Sequence, residues 1–427
     1  MLIADGTAPC TLPPSPFAIA VIGGGASGLC AAISAARTLK ESGADGSVVL
    51  FEALPRVGKK LLSTGNGRCN LSNTSIKKEH YHGGGDFAMR VIGNAGEDAV
   101  REFFRGLGLY MKIDPSGRVY PLSAQASAVL DALRLEAENV GVETLTSNKV
   151  TSLKKEDGAF LINENLKARR VILAAGGKSG AACGCDGSGF ELLKGLGVRV
   201  LPLFPALTAL LLEDYPKSLK GVRAECRARI ISDGKVLAED CGEVQFNEKG
   251  VSGIPIMQIS RHASEILYTG EGGEIYLKID ALPALREDEI KEYIRERKNA
   301  NPALAAGHLL TGLMPKAIAR VCLNRAGIPL NAPIADIKEA ESSKLAEAVK
   351  SMTYRILGAA GFEASQVTAG GADTGCFSPE TLECLDVPGL YCCGEILNVD
   401  GICGGYNLHW AWCGGIVAGR AAAGKGR

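Results

Sequence analysis

Phe17-Ala18-Ile19-Ala20-Val21-Ile22-Gly23-Gly24-Gly25-Ala26-Ser27-Gly28 is the stretch that decides the fold. Six apolar residues, several of them branched, make a buried parallel strand, and Gly23-x-Gly25-x-x-Gly28 follows at once. Leu29–Leu39 reads as a helix of small and apolar residues, Gly43 and Gly46 mark a loop, and Val48–Phe51 is a second strand ending on Glu52. Strand, glycine turn, helix and acid-closed strand together predict a βαβ unit that binds a dinucleotide. The first glycine makes the tight turn, the second lets the backbone approach a pyrophosphate, and the third packs helix on strand. The helix start offers unpaired N–H groups and a positive dipole end to the phosphates. Glu52 is placed to accept hydrogen bonds from an adenosine ribose, and it would repel a 2′-phosphate. The expected ligand is therefore FAD or NAD, not NADP.

The 427 residues are too many for one ordinary core and predict two or three domains. Forty-seven basic and 47 acidic residues cancel with no long single-sign run, which argues against nucleic acid as a partner. The 54 glycines cluster beside apolar strands, as in a cofactor-binding α/β protein. None of the 14 cysteines forms a CxxC pair; the closest are Cys183-x-Cys185 and Cys392–Cys393. Metal spacing, a disulfide framework and a dithiol flavoenzyme are all disfavoured, and most cysteines are expected to be small buried hydrophobes in a reducing cytoplasm. Residues 1–16 read as a disordered, Pro-rich leader, and no apolar run is long enough to propose a membrane span.

After Glu52, residues 53–70 are rich in glycine, asparagine and cations, predicting irregular backbone lying along the cofactor. Lys59, Lys60 and Arg68 either offset pyrophosphate charge or receive an anionic substrate. Glu97–Leu107 and Ala124–Val140 are helical by pattern; Val142–Leu145, Lys149–Leu153, Phe160–Ile162 and Arg170–Ala174 read as strands. From Val198 the character changes. Pro202–Leu210, Glu225–Ile231, Lys235–Ala238, Val244–Phe246 and Glu274–Lys278 are short strands at hairpin spacing, expected of a small barrel. Asp288–Lys298, Pro302–Leu310, Pro315–Ala326 and Asp336–Ser351 are candidate helices, with Pro302 and Pro315 in first turns. Leu390–Cys393 is again a buried strand. A long apolar helix from about Leu408 to Ala423 follows, preceded by Gly-Gly-Tyr-Asn, in which Asn407 is placed to cap. Its N-terminus points at an acceptor such as a flavin C2=O–N1 edge.

Several separated segments agree with one family. They are Gly23–Leu29, the Gly58–Asn70 run containing Thr64-Gly65-Asn66-Gly67-Arg68-Cys69-Asn70, Gln366–Gly371, and Gly394–Glu395 through Asp400–Gly401 to Gly404-Gly405-Tyr406-Asn407-Leu408. The chain resembles the bacterial FAD-dependent oxidoreductases called aminoacetone-oxidase-like or 3-dehydro-bile-acid-reductase-like flavoproteins. The likeness runs from about residue 17 to 424. It implies a glutathione-reductase-type α/β fold: an FAD-binding Rossmann domain (17–195 and 366–427) with an inserted β-barrel (196–282 and 352–365) and a helical subdomain (283–351). FAD would lie across the first βαβ unit, on Gly23, Gly25, Ala26, Ser27, Gly28 and Glu52. Lys59, Lys60, Asn66 and Arg68 would flank it, and Val150 would meet the adenine through its backbone. Gly394, Glu395, Asp400, Gly405, Asn407 and Leu408 would follow the ribityl and isoalloxazine. Cys392, Cys393, Cys403, His409 and Cys413 depart from the pattern, standing where an aromatic residue, Ala, Thr, Gln and Ser would be expected in turn.

The expected chemistry is hydride transfer between NAD(P)H and an organic substrate through flavin N5, such as reduction of a C=C bond in an enone or steroid-like ring. With no second fingerprint, the nicotinamide would visit transiently as a co-substrate. Tyr406 and His409 are candidate proton donors. Two other readings stay open: an amine oxidase using oxygen, and an FAD-dependent nucleic-acid modification factor or non-enzymatic FAD scaffold. No metal is expected.

Overall fold

The computed structural model describes residues 17–96 and 98–424, so the expected leader at 1–16 lies outside the described residues. Strand β1 (Phe17–Ile22) is buried along its whole length because parallel strands pair on both sides of it. Helix α1 (Ala26–Ser42) returns the chain to β2 (Val48–Phe51), and Gly43 ends the helix in the left-handed conformation. The sheet runs Glu143–Leu145, β2, β1, Leu166–Leu173. The C-terminal half of the last strand also pairs in parallel with Leu390–Cys392, and its N-terminal half pairs antiparallel with Ala159–Ile162.

The C-terminal helix Tyr406–Gly424 packs on α1. On its inner face a Cβ at Gly415 would come 2.6 Å from Ser27 O, and one at Gly419 would fall on Ala31 O. Glycine there removes the side-chain layer that normally separates helices, so the backbones touch. The helix buries Trp410 and Trp412, whose indole N–H groups donate to Gly394 O and Leu71 O, each at 3.1 Å.

The inserted region closes a six-stranded barrel ordered Leu210–Leu212, Gly250–Ser252, Lys235–Phe246, Arg223–Ser232, Ile275–Asp280, Met352–Ala359. Barrel and following helices share one apolar core, separate from the core of the nucleotide sheet. The Lys235–Ala238 and Val244–Phe246 strands are the two ends of one long strand. The Pro202–Leu210 segment reaches the barrel only at Leu210: Val200–Ala206 pairs antiparallel with Val367–Ala372 in a separate two-stranded ribbon with its own small apolar cluster.

Other expectations shift. Lys149–Leu153 is not a strand, pairing beginning only at Leu153–Glu156. Pro302–Leu310 is not a helix but turns around Ala306–His308, and Pro315 precedes its helix, Lys316–Arg325, as the cap residue. The loop after Glu52 contains a one-turn helix, Lys59–Ser63. Ala99–Gly106 and Ala126–Asn139 are helical near the expected bounds. Three helices escape sequence reading: Gly85–Ala95, whose glycines mimic a turn, Ile254–Thr269, which lies against the barrel, and the shorter Ser188–Gly195. The second helix ties the two units together, because buried Arg261 donates from Nε to both Asp400 oxygens at 2.9 and 3.2 Å. No helix among the described residues is long and apolar enough to cross a membrane.

Candidate active site

A cleft of about 620 Å³ runs from the β1–α1 turn to the start of the C-terminal helix. At its first end Gly23 has φ 109°, and a Cβ there would fall on Ala174 O. A Cβ on Gly25 would meet nothing within 4 Å, so this is the open face of the turn. Helix α1 begins with no side-chain cap, leaving its first N–H groups for a bound anion. Gly28 does not line the cleft: it lies against Gly23 O and performs the packing task of the third glycine.

Glu52 is 9% exposed and faces this turn. Its Oε2 accepts from Gly24 N at 3.0 Å and its Oε1 from Leu54 N at 2.8 Å. These two bonds fix the carboxylate and leave each oxygen a further lone pair for a diol. Val150, buried and in irregular backbone, lines the same end.

In the middle, Lys60 donates to Glu395 at 2.6 Å, and Glu395 also accepts from Thr368 N at 2.9 Å. Burial opposes the lysine charge, but the carboxylate overrides it and raises the Lys60 pKa. Lys59 is exposed at the cleft edge. Gly394 does not line the cleft; with φ 80° it carries the chain past Ser27.

At the far end Asn66, Arg68, Gly405, Asn407 and Leu408 line the wall. Asn407 is not a helix cap. The helix begins one residue earlier, and the Asn407 amide clasps Gly401, accepting from its N–H at 2.8 Å and donating to its carbonyl at 2.7 Å. Asp400 is likewise turned away from the cleft: it is 2% exposed and held by Arg261. Asn70 lines the cleft with its buried Oδ1 unpaired, an acceptor that calls for an N–H donor from a bound group. The open face at Gly25, the diol acceptor at Glu52, the uncapped helix and the orphaned Asn70 oxygen fit a dinucleotide ending in a hydrogen-bonding ring such as FAD. Among the described residues no cluster suited to a metal occurs, and every described cysteine is a free thiol.

Neither expected proton donor reaches the cleft. Tyr406 is 6% exposed, with its ring 4.5 Å from that of His80 and its carbonyl accepting from Tyr81 Oη at 3.3 Å. His409 points into the helix packing, its Nδ1 2.8 Å from Ser72 Oγ and its Nε2 3.5 Å from Cys413 Sγ. Burial pushes its pKa down to about 4, and burial with the nearby Arg261 charge does the same to His82. A histidine depressed from 6.5 to about 4 favours the fold in its neutral form, so its contribution is complete above pH 6.5 and is lost as pH falls towards 4. For His409 the full effect is on the order of 3 kcal/mol. The urea midpoint should therefore fall between pH 7 and pH 5, and His409→Gln, which keeps a polar partner for Ser72, should flatten that fall. An equally steep fall in the variant would show that His409 is not responsible.

Besides Cys403, marked in the sequence as a departure from the family pattern, the cleft contains residues that the sequence did not single out. Arg118 and Tyr120 alternate on the short strand Arg118–Pro121, and both face inward. Cys403 lies between Gly401 and the Gly404–Gly405 turn, its thiol pushed up to about 11 by burial, with Arg118 opposing the shift. Leu207, Met257 and Val367 come from the ribbon and the Ile254–Thr269 helix; with Cys403 they belong to a third apolar cluster, apart from the two main cores. The period-two spacing of Arg118 and Tyr120 was a usable signal; the ribbon pairing was not local enough to read.

The HI0933-like protein Rossmann domain family matches residues 17–421 of the chain. A 3-dehydro-bile acid delta(4,6)-reductase of Clostridium scindens is 41% identical over 95% of this chain and 98% of that protein. A ribosomal RNA dihydrouridine synthase of Haemophilus influenzae is 25% identical over 92% of this chain and 95% of that protein. In fold, the chain is similar to a 3-ketosteroid delta1-dehydrogenase from Sterolibacterium denitrificans, with a TM-score of 0.50 and 14% identity over 96% of this chain and 99% of that one. The architecture is thus a Rossmann-type FAD-binding domain carrying a closed barrel.

Proposed function

We propose that this chain, which belongs to the HI0933-like Rossmann family, is an FAD-dependent oxidoreductase that uses NAD(P)H to reduce a C=C bond conjugated to a carbonyl in a small apolar substrate. The observation that carries the reading is the continuity of one cleft, from a nucleotide cradle at Gly23–Glu52 to an apolar cluster beside the Gly404–Gly405 turn. The relatives support it. A bile-acid delta(4,6)-reductase and a dihydrouridine synthase, as named, share one reaction type, the saturation of a conjugated C=C bond.

FAD, when bound, supplies the carrier that takes a hydride from a nicotinamide and gives it to carbon. The chain's own residues do the rest. The α1 N-terminus and Lys59 receive the pyrophosphate, Glu52 the ribose, and the start of the C-terminal helix the flavin edge. Leu207, Met257 and Val367 exclude water from the apolar substrate. The carbon next to the carbonyl needs a proton as its neighbour receives hydride. With Tyr406 and His409 packed away, the Cys403 thiol, kept protonated by burial, is a donor that lines the cleft beside the apolar cluster.

Anaerobic mixing of the yellow holoenzyme with NADH or NADPH tests the reading. One of the two should bleach the flavin band within seconds. A 4-en-3-one or 4,6-dien-3-one steroid should then restore the colour much faster than air does. No bleaching by either nicotinamide would sink the reductase reading, and rapid reoxidation by oxygen alone would favour the oxidase.

A further inference from the structure

The cleft holds more positive charge than a dinucleotide requires. Of its cations, Lys60 is paired with Glu395 and Lys149 with Asp186, each at 2.6 Å. Lys59 sits beside the α1 turn, where the Gly58 N–H reaches Gly24 O at 2.8 Å, and serves the pyrophosphate end. Arg68 and Arg118 remain. Neither has a carboxylate within ion-pairing distance among the described residues. The Arg68 guanidinium lies 5.0 Å from the Tyr120 ring centre, and its Nε reaches only Gly65 O, at 3.4 Å. Arg118 is half-buried, and the nearby Asp114 carboxylate is occupied by N–H groups of Ser116 and Arg118 and by the Ser116 hydroxyl. Leaving a half-buried guanidinium unpaired is costly unless an anion visits it.

The location separates these arginines from the pyrophosphate. The strand Arg118–Pro121 pairs Arg118 with Asn73, and Asn73 Nδ2 donates to Gly404 O at 3.0 Å, so Arg118 flanks the start of the C-terminal helix, with Arg68 held nearby over the Tyr120 ring of the same strand. Cys403 connects the two kinds of wall: it packs in the apolar cluster with Leu207, Met257 and Val367, and its thiol feels the Arg118 charge. An apolar body next to two free guanidiniums, one stacked on an aromatic ring, is the complement of an amphipathic molecule.

We infer that Arg68 and Arg118 form an anion subsite that binds the carboxylate tail of an apolar, fused-ring substrate whose body lies on Leu207, Met257 and Val367. The inference rests on the reductase reading for its substrate class, but its test does not depend on turnover. A fully saturated steroid carboxylic acid and its methyl ester, neither of which can be reduced, are titrated into the FAD-loaded enzyme and followed by the flavin difference spectrum. The acid should bind about ten- to a hundredfold tighter than the ester, the range expected for one or two charge-assisted hydrogen bonds. In Arg118→Gln the preference should shrink at least about fivefold, with flavin content unchanged, and Arg118→Lys should restore part of it. Arg68→Gln should act in the same direction.

Equal affinity for acid and ester, or binding of neither, would overturn the subsite. Loss of flavin itself from Arg118→Gln would overturn it too, since the arginine would then serve the cofactor. So would tight binding of a uridine-containing RNA hairpin without discrimination between acid and ester. Should the steroid enone fail to reoxidise reduced enzyme while acid and ester are still distinguished, the reductase reading falls and the anion subsite stands.

Discussion

Glu52→Ala should purify nearly colourless, and its affinity for added FAD should fall by about a hundredfold or more. The carboxylate is fixed by Gly24 N and Leu54 N, and each oxygen keeps a lone pair towards the cleft. Two charge-assisted bonds to a ribose diol are worth roughly 3 kcal/mol together. Removing the side chain also orphans the Gly24 N–H, in the turn proposed to receive the pyrophosphate, so the expected loss is larger than the ribose contacts alone. Glu52→Gln should be intermediate, because one amide atom becomes a donor facing another donor. Flavin fluorescence titration of the apoprotein gives the affinity directly, and a dissociation constant within threefold of wild type would refute the ribose assignment.

Gly419→Val should destabilise the protein by roughly 3 kcal/mol or more, at the upper end of overpacking effects. A side chain there meets Ala31 O, Ser34 Cβ at 2.8 Å and Ala35 N at 3.0 Å, and two of these three are backbone atoms that cannot rotate away. The only relief is to push the C-terminal helix off α1. Both helices begin at the cleft, so moving either one shifts the α1 N-terminus against the Gly404–Gly405 turn. The variant should therefore lose flavin as well as melt earlier. Gly424→Val, on the same helix where a Cβ meets nothing within 4 Å, is the control. Equal melting temperatures for the two variants would mean that the close approach does not matter.

The first βαβ unit was legible because its information is local. Apolar strand, glycine spacing and closing acid all fall within residues 17–52, and the strands appear at the expected bounds. The barrel's existence was also legible, but not its membership, since the partner of Val200–Ala206 lies at Val367–Ala372. Helix Ile254–Thr269 was missed because Pro255 and a dense apolar start, Ile254, Ile256 and Met257, look like one more short strand; its amphipathic face shows only against the barrel. Sequence proximity misled at the C-terminus. Tyr406 and His409 stand within a glycine-rich segment of the cofactor region, but the face that a helix presents is decided by what packs on it. Here Ser72, His80 and Cys413 take those two side chains, while Asn407, Leu408, Trp410 and Ala411 line the cleft.

The seam between α1 and the C-terminal helix also sets a timetable. Strand β1 and α1 leave the ribosome long before Tyr406–Gly424, the helix that packs on α1, and before Leu390–Cys392, which extends their sheet beside Leu166–Leu173. At translation rates of about 5–20 residues per second, the wait is on the order of twenty to seventy seconds. Through that interval a helix face made for another backbone stays open, and half of the cleft does not exist. The complete cleft therefore forms only once the Tyr406–Gly424 helix has docked on α1.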